Sequence, residues 1–391
     1  MGIGDVNMKK RIISILLPFA ILIALASCTK TGDRTTYKSV NLGLTMSGSD
    51  TRTSYSGEGT VTDGLLTKER LDWTDGDLVT VYSPEAAMVD GVSHSADYKV
   101  VSHEINPTTN LRSCATVITS ESSGKGLVWD TGTTYSFYGM YPSVATTGFT
   151  TTEKTWVGMN GMNMQATIPS VQGVVSYTDG WIMNWSEITV SSDDPIVRTP
   201  TAIKGTPDMK YGWMFAKKTG VTFTIQPVEL VFYPKFTAFE FTIASGENES
   251  ITLTSFKLET LTETSTSDVS AFIAGNFTYT GSTETVTVSS SGASNSITVN
   301  FPSGTTVTPD KSLTFTVFAL PVNLTNMRIT FTGDEIGTRK LTLDTATGTP
   351  LTFTPYKKYR IYGLRFPSLL TAYGEDILWD LEAHGEPLDW Y

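Results

Sequence analysis

The chain is poor in cysteine, histidine and charge. Its 391 residues hold two cysteines, Cys28 and Cys114, and three histidines, His94, His103 and His384. Cys28 belongs to an N-terminal signal treated below, so Cys114 is left with no partner for an internal disulfide. Stability must come from a packed core rather than from cross-links. Cys114 precedes Ala115-Thr116-Val117-Ile118 and reads as a small buried strand residue rather than a reactive thiol. Charged residues make up 17% of the chain, below the usual ~25%. Few charges combined with 11% aromatics is the composition of an ordered protein, not a disordered one. The net charge is −11 and, beyond Lys9, Lys10 and Arg11 of the N-terminal signal, no cluster of Lys and Arg is present. A duplex-binding surface needs such a cluster, so nucleic acid is excluded as a partner.

Motifs for chemistry are also missing. There is no Gly-x-Ser-x-Gly, no phosphate-binding glycine loop and no zinc-enzyme motif. Asp380 and His384 have the spacing of helix-borne ligands, but two residues do not make a site. Asp75-Gly76-Asp77 and Asp193-Asp194 lack the rest of a calcium loop and read as turns. Carboxylate pairs suited to glycoside chemistry occur in any acidic chain and carry no weight without a cleft. The expectation is a non-enzyme with no cofactor and no metal.

The longest apolar run, residues 12–24, is broken by Ser14 and Pro18. It is too short for an ordinary spanning helix of roughly 20 residues. Lys9, Lys10 and Arg11 precede it and Leu25-Ala26-Ser27-Cys28 follows it. A positive start, a short apolar core and small residues at the cut mark a secretory signal. The final four residues resemble the lipobox of a bacterial lipoprotein. That resemblance implies removal of residues 1–27, a lipid on Cys28 and attachment to the outer membrane. Residues 28–39 are mainly polar and read as a tether.

From residue 40 onward, period-2 alternation takes over. Val40, Leu42, Leu44 and Met46 alternate with Asn41, Gly43 and Thr45, as in a half-buried strand. Many short Val-, Thr-, Phe- and Tyr-rich segments follow, including Thr222-Phe223-Thr224-Ile225, with Gly, Ser, Asn, Asp or Pro between them. Helix-period segments are nearly absent outside the signal. This pattern predicts an all-β protein built of β-sandwiches. The polar stretch 205–220 is the best boundary. It suggests an N-terminal sandwich at 40–218 and a C-terminal one at 226–391.

Several phrases are more specific than composition. They are Trp73-Thr74-Asp75-Gly76-Asp77, Tyr135-Ser136-Phe137-Tyr138-Gly139-Met140-Tyr141-Pro142, Ala166-Thr167-Ile168-Pro169-Ser170-Val171-Gln172 and Asp208-Met209-Lys210-Tyr211-Gly212. Then come Val228-Glu229-Leu230-Val231-Phe232-Tyr233-Pro234, Phe315-Thr316-Val317-Phe318-Ala319-Leu320-Pro321 and Tyr356-Lys357-Lys358-Tyr359-Arg360-Ile361. In this order, behind a lipobox, the chain resembles the fimbrillin family, the lipoprotein subunits of type V pili in Gram-negative anaerobes.

The resemblance implies two tandem transthyretin-like Greek-key β-sandwich domains. It also implies a surface pilus subunit or tip adhesin that is cut by a trypsin-like protease and loses its first strand. Other subunits then join head to tail by donor-strand exchange, and a host or bacterial surface ligand is a further partner. In this chain the removable strand is the one bearing Val40, Leu42, Leu44 and Met46. Arg52 lies just beyond it in a Gly-, Ser- and Thr-rich stretch, with Lys68 and Arg70 as rivals for the cut. Near the C-terminus, Ile377, Trp379 and Leu381 alternate among Glu375, Asp376, Asp380 and Glu382. They read equally as a donor strand or as a final strand packed on its own domain.

A second reading is a surface glycan-binding lipoprotein. It would require an exposed platform of rings, for which Trp156, Trp181, Trp185 and Trp213 are the candidates. The signal yields the first test. Cys28→Ser should abolish incorporation of labelled palmitate and leave an unlipidated precursor or a soluble periplasmic product.

Overall fold

The computed structural model describes residues 38–46, 54–62, 65–73, 76–88, 94–105, 112–117, 126–130, 132–143, 156–157, 163–181, 201–246, 250–261, 272–344, 348–366, 377–379 and 389–390. Strands dominate among them, and the protein is all-β. The one helical turn among the described residues is the 3-10 segment Met209–Tyr211. It is capped by the Asp208 carboxylate, which accepts the Lys210 N–H at 3.3 Å. No helix of the described residues is long and apolar enough to cross a membrane.

Seven strands close into a barrel. Their order is Leu42–Met46, Val228–Pro234, Met214–Val221, Tyr135–Tyr141, Leu78–Tyr82, Ser95–Ile105 and Arg112–Val117, which returns to the first. Alternation explains the inner face. In Val228–Pro234, Val228, Leu230 and Phe232 are buried, whereas Glu229 and Tyr233 are exposed. Trp73 is fully buried and meets Tyr141 and Phe232 edge-on, with ring centroids 5.5 and 5.2 Å apart. Gly139 leaves room for this cluster, because a Cβ there would lie 2.5 Å from the Phe232 Cζ.

The second half packs two sheets face to face. One runs Val174–Trp181, Thr201–Pro207, Lys311–Ala319, Thr237–Ala244, Lys358–Arg365 and Leu378–Trp379. The other runs Val171–Gln172, Ser296–Asn300, Ile251–Thr260, Met327–Gly333 and Gly337–Thr342, with Thr306–Val307 beside Ile251–Thr260. Phenylalanines bridge the gap. Phe241 meets Phe256 at 4.7 Å, and Phe256 meets Phe315 and Phe331 at 4.9 Å each. Such aromatic pairs contribute about 0.5–1.5 kcal/mol each beyond the area they bury.

The expected boundary at 218–226 does not separate the sheets. Val228–Pro234 pairs with Met214–Val221 across Phe215↔Tyr233 and completes the barrel instead of opening the second half. The polar residues that suggested a linker lie on the exposed end of Met214–Val221, where Lys218, Thr219 and Gly220 face solvent. The two halves also interleave. Asn163–Ile168 pairs with Gly275–Thr280, Val171–Gln172 with Ser296–Asn300, and Thr201–Pro207 with Lys311–Ala319. Local alternation says nothing about such distant partners.

Gln172 ties this interleaving down. Its buried amide donates to the Phe318 carbonyl at 2.7 Å, and its Oε1 accepts the Phe318 N–H at 3.0 Å. The side chain therefore acts as a short piece of strand across 146 residues of chain. The joint between the halves falls at Lys235. Its N–H donates to the Trp213 carbonyl at 2.8 Å, and its ammonium lies 4.7 Å from the Tyr279 ring centroid and 5.2 Å from that of Tyr356. Burial among these rings holds the Lys235 pKa below its ordinary value.

The Thr237–Ala244 strand also carries a buried ion pair. The Lys358 ammonium is fully buried, 2.6 Å from Glu240 Oε2, and Arg360 Nε lies 3.0 Å from Oε1. Breaking such a pair leaves an uncompensated buried charge and costs about 3–5 kcal/mol. Lys358→Met should lower unfolding stability in denaturant titrations by no more than that amount, because Arg360 still partners the Glu240 carboxylate. Adding Glu240→Leu should not recover the loss, because Arg360 then loses its carboxylate partner.

Candidate functional site: the seat of the first strand

Residues 40–46 alternate in space as they do in sequence. Val40, Leu42 and Leu44 are 0–2% exposed, and Asn41 faces solvent. Gly43 also lies covered, with Pro227 Cβ 3.5 Å from where its own Cβ would stand. The side chains of Thr45 and Met46 lie outside the described residues. The three buried side chains belong to one continuous apolar cluster with Trp73, Phe137 and Phe232.

The backbone is held on both flanks. Leu42–Met46 runs parallel to Val228–Pro234 with five registered pairs, from Leu42↔Val228 to Met46↔Phe232. On its other side it meets Arg112–Val117 antiparallel at Gly43↔Ala115 and Leu44↔Cys114. It is therefore the strand that closes the ring. Its N-terminal approach is stitched as well. Val40 N–H donates to the Leu127 carbonyl at 2.9 Å, and Trp129 N–H donates to the Lys38 carbonyl at 3.0 Å. On the opposite side Val228 N–H donates to the Asn41 carbonyl at 2.9 Å, and Asn41 Nδ2 donates to the Ile225 carbonyl at 3.3 Å.

Two supports escaped sequence reasoning. The Tyr98 hydroxyl, fully buried, accepts the Leu127 N–H at 3.0 Å and so positions the segment that holds Val40. Burial pushes the Tyr98 pKa well above the phenol range, so the hydroxyl stays neutral there. Trp129 stands against Tyr135, Phe137 and Phe223 with ring centroids 4.8, 5.7 and 5.6 Å away. A lone Tyr in one alternating strand and a Trp after a short apolar pair gave no signal of a joint role.

The other expected residues fall elsewhere. Cys28, Arg52 and Leu381 lie outside the described residues. Lys68 and Arg70 lie within the Leu65–Asp72 strand, which pairs with Ser54–Thr62 and, through Lys68↔Asp389, with Asp389–Trp390. Ile377 is buried, and Leu378–Trp379 pairs antiparallel with Arg365 and Leu364. In this structure the C-terminal segment thus packs on its own chain. Trp213 is fully buried and donates its indole N–H to the Thr167 carbonyl at 3.0 Å, so it offers no exposed ring to a glycan. Trp156 and Trp181 lie in the strands Trp156–Val157 and Val174–Trp181, and Trp185 is outside the described residues. Among the described residues no group of three His, Cys, Asp or Glu is placed to hold a metal.

Truncating a fully buried leucine leaves a cavity and costs about 2–5 kcal/mol. Leu44→Ala should destabilise the intact chain by that amount. Asn41→Ala, which removes one exposed hydrogen bond, should cost no more than about 1.5 kcal/mol. Equal losses at the two positions would mean that the seat is not the tight socket described.

No protein-family model matches the chain, and a search of curated proteins finds no match. Among solved structures, the chain is similar to a candidate cell adhesion protein from Bacteroides uniformis. Identity is 13%, coverage is 90% of this chain and 98% of that one, and the TM-score is 0.47. A candidate cell adhesion protein from Bacteroides ovatus shares 12% identity, covering 91% of this chain and 98% of that one, with a TM-score of 0.48. A fimbrial assembly protein from Parabacteroides distasonis shares 10% identity over 88% of this chain and 99% of that one, with a TM-score of 0.35. Similarity at these levels leaves function to be argued from the chain's own residues.

Proposed function

We propose that the chain is a structural subunit or tip adhesin of a surface pilus. In this reading it is exported as a lipoprotein, cut to remove its first strand, and assembled by donor-strand exchange. Its two halves correspond to the tandem transthyretin-like Greek-key sandwiches of that reading, interleaved by the pairings given above. The observation that carries the proposal is the seat of residues 40–46: a short ring-closing strand whose Val40, Leu42 and Leu44 side chains are buried.

Burying Val40, Leu42 and Leu44 contributes roughly 5–9 kcal/mol before entropy costs. Net domain stabilities are about 5–15 kcal/mol. An empty seat is therefore poorly tolerated. It would also expose unpaired N–H and C=O groups on Val228–Pro234 and Arg112–Val117, a template for another strand. A strand supplied by a neighbour repairs both losses, and a head-to-tail contact of this kind grows into a filament.

Backbone pairing counts against Lys68 and Arg70 as the cut. Lys68 and Arg70 are held in a paired strand, where a protease must first undo hydrogen bonds. The glycan reading has no observation in its favour, since Trp213 is buried.

Limited trypsin treatment of the full chain should cut after Arg52 and convert a monomer into a ladder of oligomers on size-exclusion chromatography. Arg52→Ala should stay monomeric under the same treatment. Deleting residues 375–391 should stop growth at the donor end while the cut subunit still takes up a strand from an intact neighbour. A cut chain that stays monomeric at high concentration would sink the mechanism.

A further inference from the structure

Residues 222–227 join Met214–Val221 to Val228–Pro234. Their alternation suggested a strand, but the chain turns here, with Gln226 N–H donating to Thr224 Oγ1 at 3.0 Å. The turn leaves two large apolar side chains in solvent: Phe223 is 47% exposed and Ile225 71%. The loop is nevertheless well held. Phe223 packs edge-on against Trp129, and the Ile225 carbonyl accepts from Asn41. The Lys38 ammonium lies 5.0 Å from the Phe223 ring centroid.

Lys38 is also where the tether arrives. Cys28 stands ten residues upstream, so a lipid on it can lie no farther than about 33–36 Å along the extended chain. We propose that Phe223 and Ile225 form a membrane-docking tip, which rests on the lipid surface that holds Cys28. This rests on the lipoprotein reading above. A lipid chain fixes distance but not orientation, and single anchors are commonly reinforced by a second contact. A ring and an aliphatic side chain at one loop tip, with the Lys38 ammonium beside the ring, match the apolar and basic residues of interfacial anchors. Lys38 adds a charge suited to anionic headgroups. Asp130 is exposed next to Trp129, so the attraction is apolar before it is electrostatic.

The occupant is a bilayer rather than a second copy because the patch is small. Two side chains fall far short of the ~1,200 Å² a stable protein interface buries. The arrangement also couples docking to processing. Loss of residues 40–46 removes the tether and the Asn41 bond to Ile225 together, so one cut opens the barrel and frees the tip.

The test places an environment-sensitive fluorophore at Ile225→Cys in full-length lipidated chain carrying Cys114→Ser. The protein is reconstituted in phosphatidylethanolamine–phosphatidylglycerol vesicles with brominated acyl chains. A label at Val171→Cys, 57% exposed, serves as the reference. The label at 225 should shift to the blue and lose most of its intensity to the bromolipid, and the label at 171 should do neither. Gln226→Cys, exposed on the same turn, gives the same reading if the first variant folds poorly. A water-like label at both tip positions on membrane-bound protein overturns docking while leaving the anchor intact. Shielding from aqueous iodide without bromolipid quenching would mark a second copy as the occupant and also overturns it. Mass spectrometry of the Cys28 peptide reads the anchor separately, and an unlipidated peptide from the exported chain would sink both.

Discussion

Closure of the N-terminal barrel depends on a single five-residue strand. Each strand of a ring satisfies the backbone groups of two neighbours, so removing any one exposes two edges. Leu42–Met46 pairs with Val228–Pro234 nearly 190 residues away, so its hold is long-range in hydrogen bonding. Such a strand cannot leave without opening the ring.

The rest of the molecule fits that constraint. The second half is secured by interactions that do not pass through the ring-closing strand: the phenylalanine cluster around Phe256, the Glu240–Lys358 pair and the Gln172 bridge to Phe318. The Gln172 bridge matters most for mechanics. It links the segment after Asn163–Ile168 to a central strand of the second half, so the two halves share hydrogen bonds as well as a joint. The Lys235 ammonium among its tyrosines adds a half-buried cation at that joint. A pull on one half is therefore passed to the other through paired backbone.

The sequence was legible where the physics is local. Period-2 alternation marked Leu42–Met46 and Val228–Pro234 as strands, because a half-buried strand repeats every two residues. It failed where partners are distant. The polar end of Met214–Val221 looked like a linker because exposed strand residues and loop residues share a composition. The same limit misread residues 222–225, whose alternation is genuine but whose backbone turns. Of the candidate site, the apolar ladder Val40, Leu42 and Leu44 was visible in sequence. Its supports at Tyr98, Leu127 and Trp129 were not, since each acts through a contact that no spacing encodes.

The misread loop shows why exposed apolar residues carry information. Phe223 and Ile225 would be ordinary if they lay on a strand with one buried face. On a turn fixed by Thr224, Asn41 and Trp129, Phe223 is covered only in part and Ile225 is mostly exposed. Single exposed apolar side chains need no explanation, but two on one rigid tip beside the arriving tether form a feature. The strand that closes the barrel, the residue that holds the tip and the path to the anchor all lie within residues 28–46. Under the proposed function, attachment and assembly would both depend on this one short piece of chain, and a single proteolytic cut beyond it would act on both.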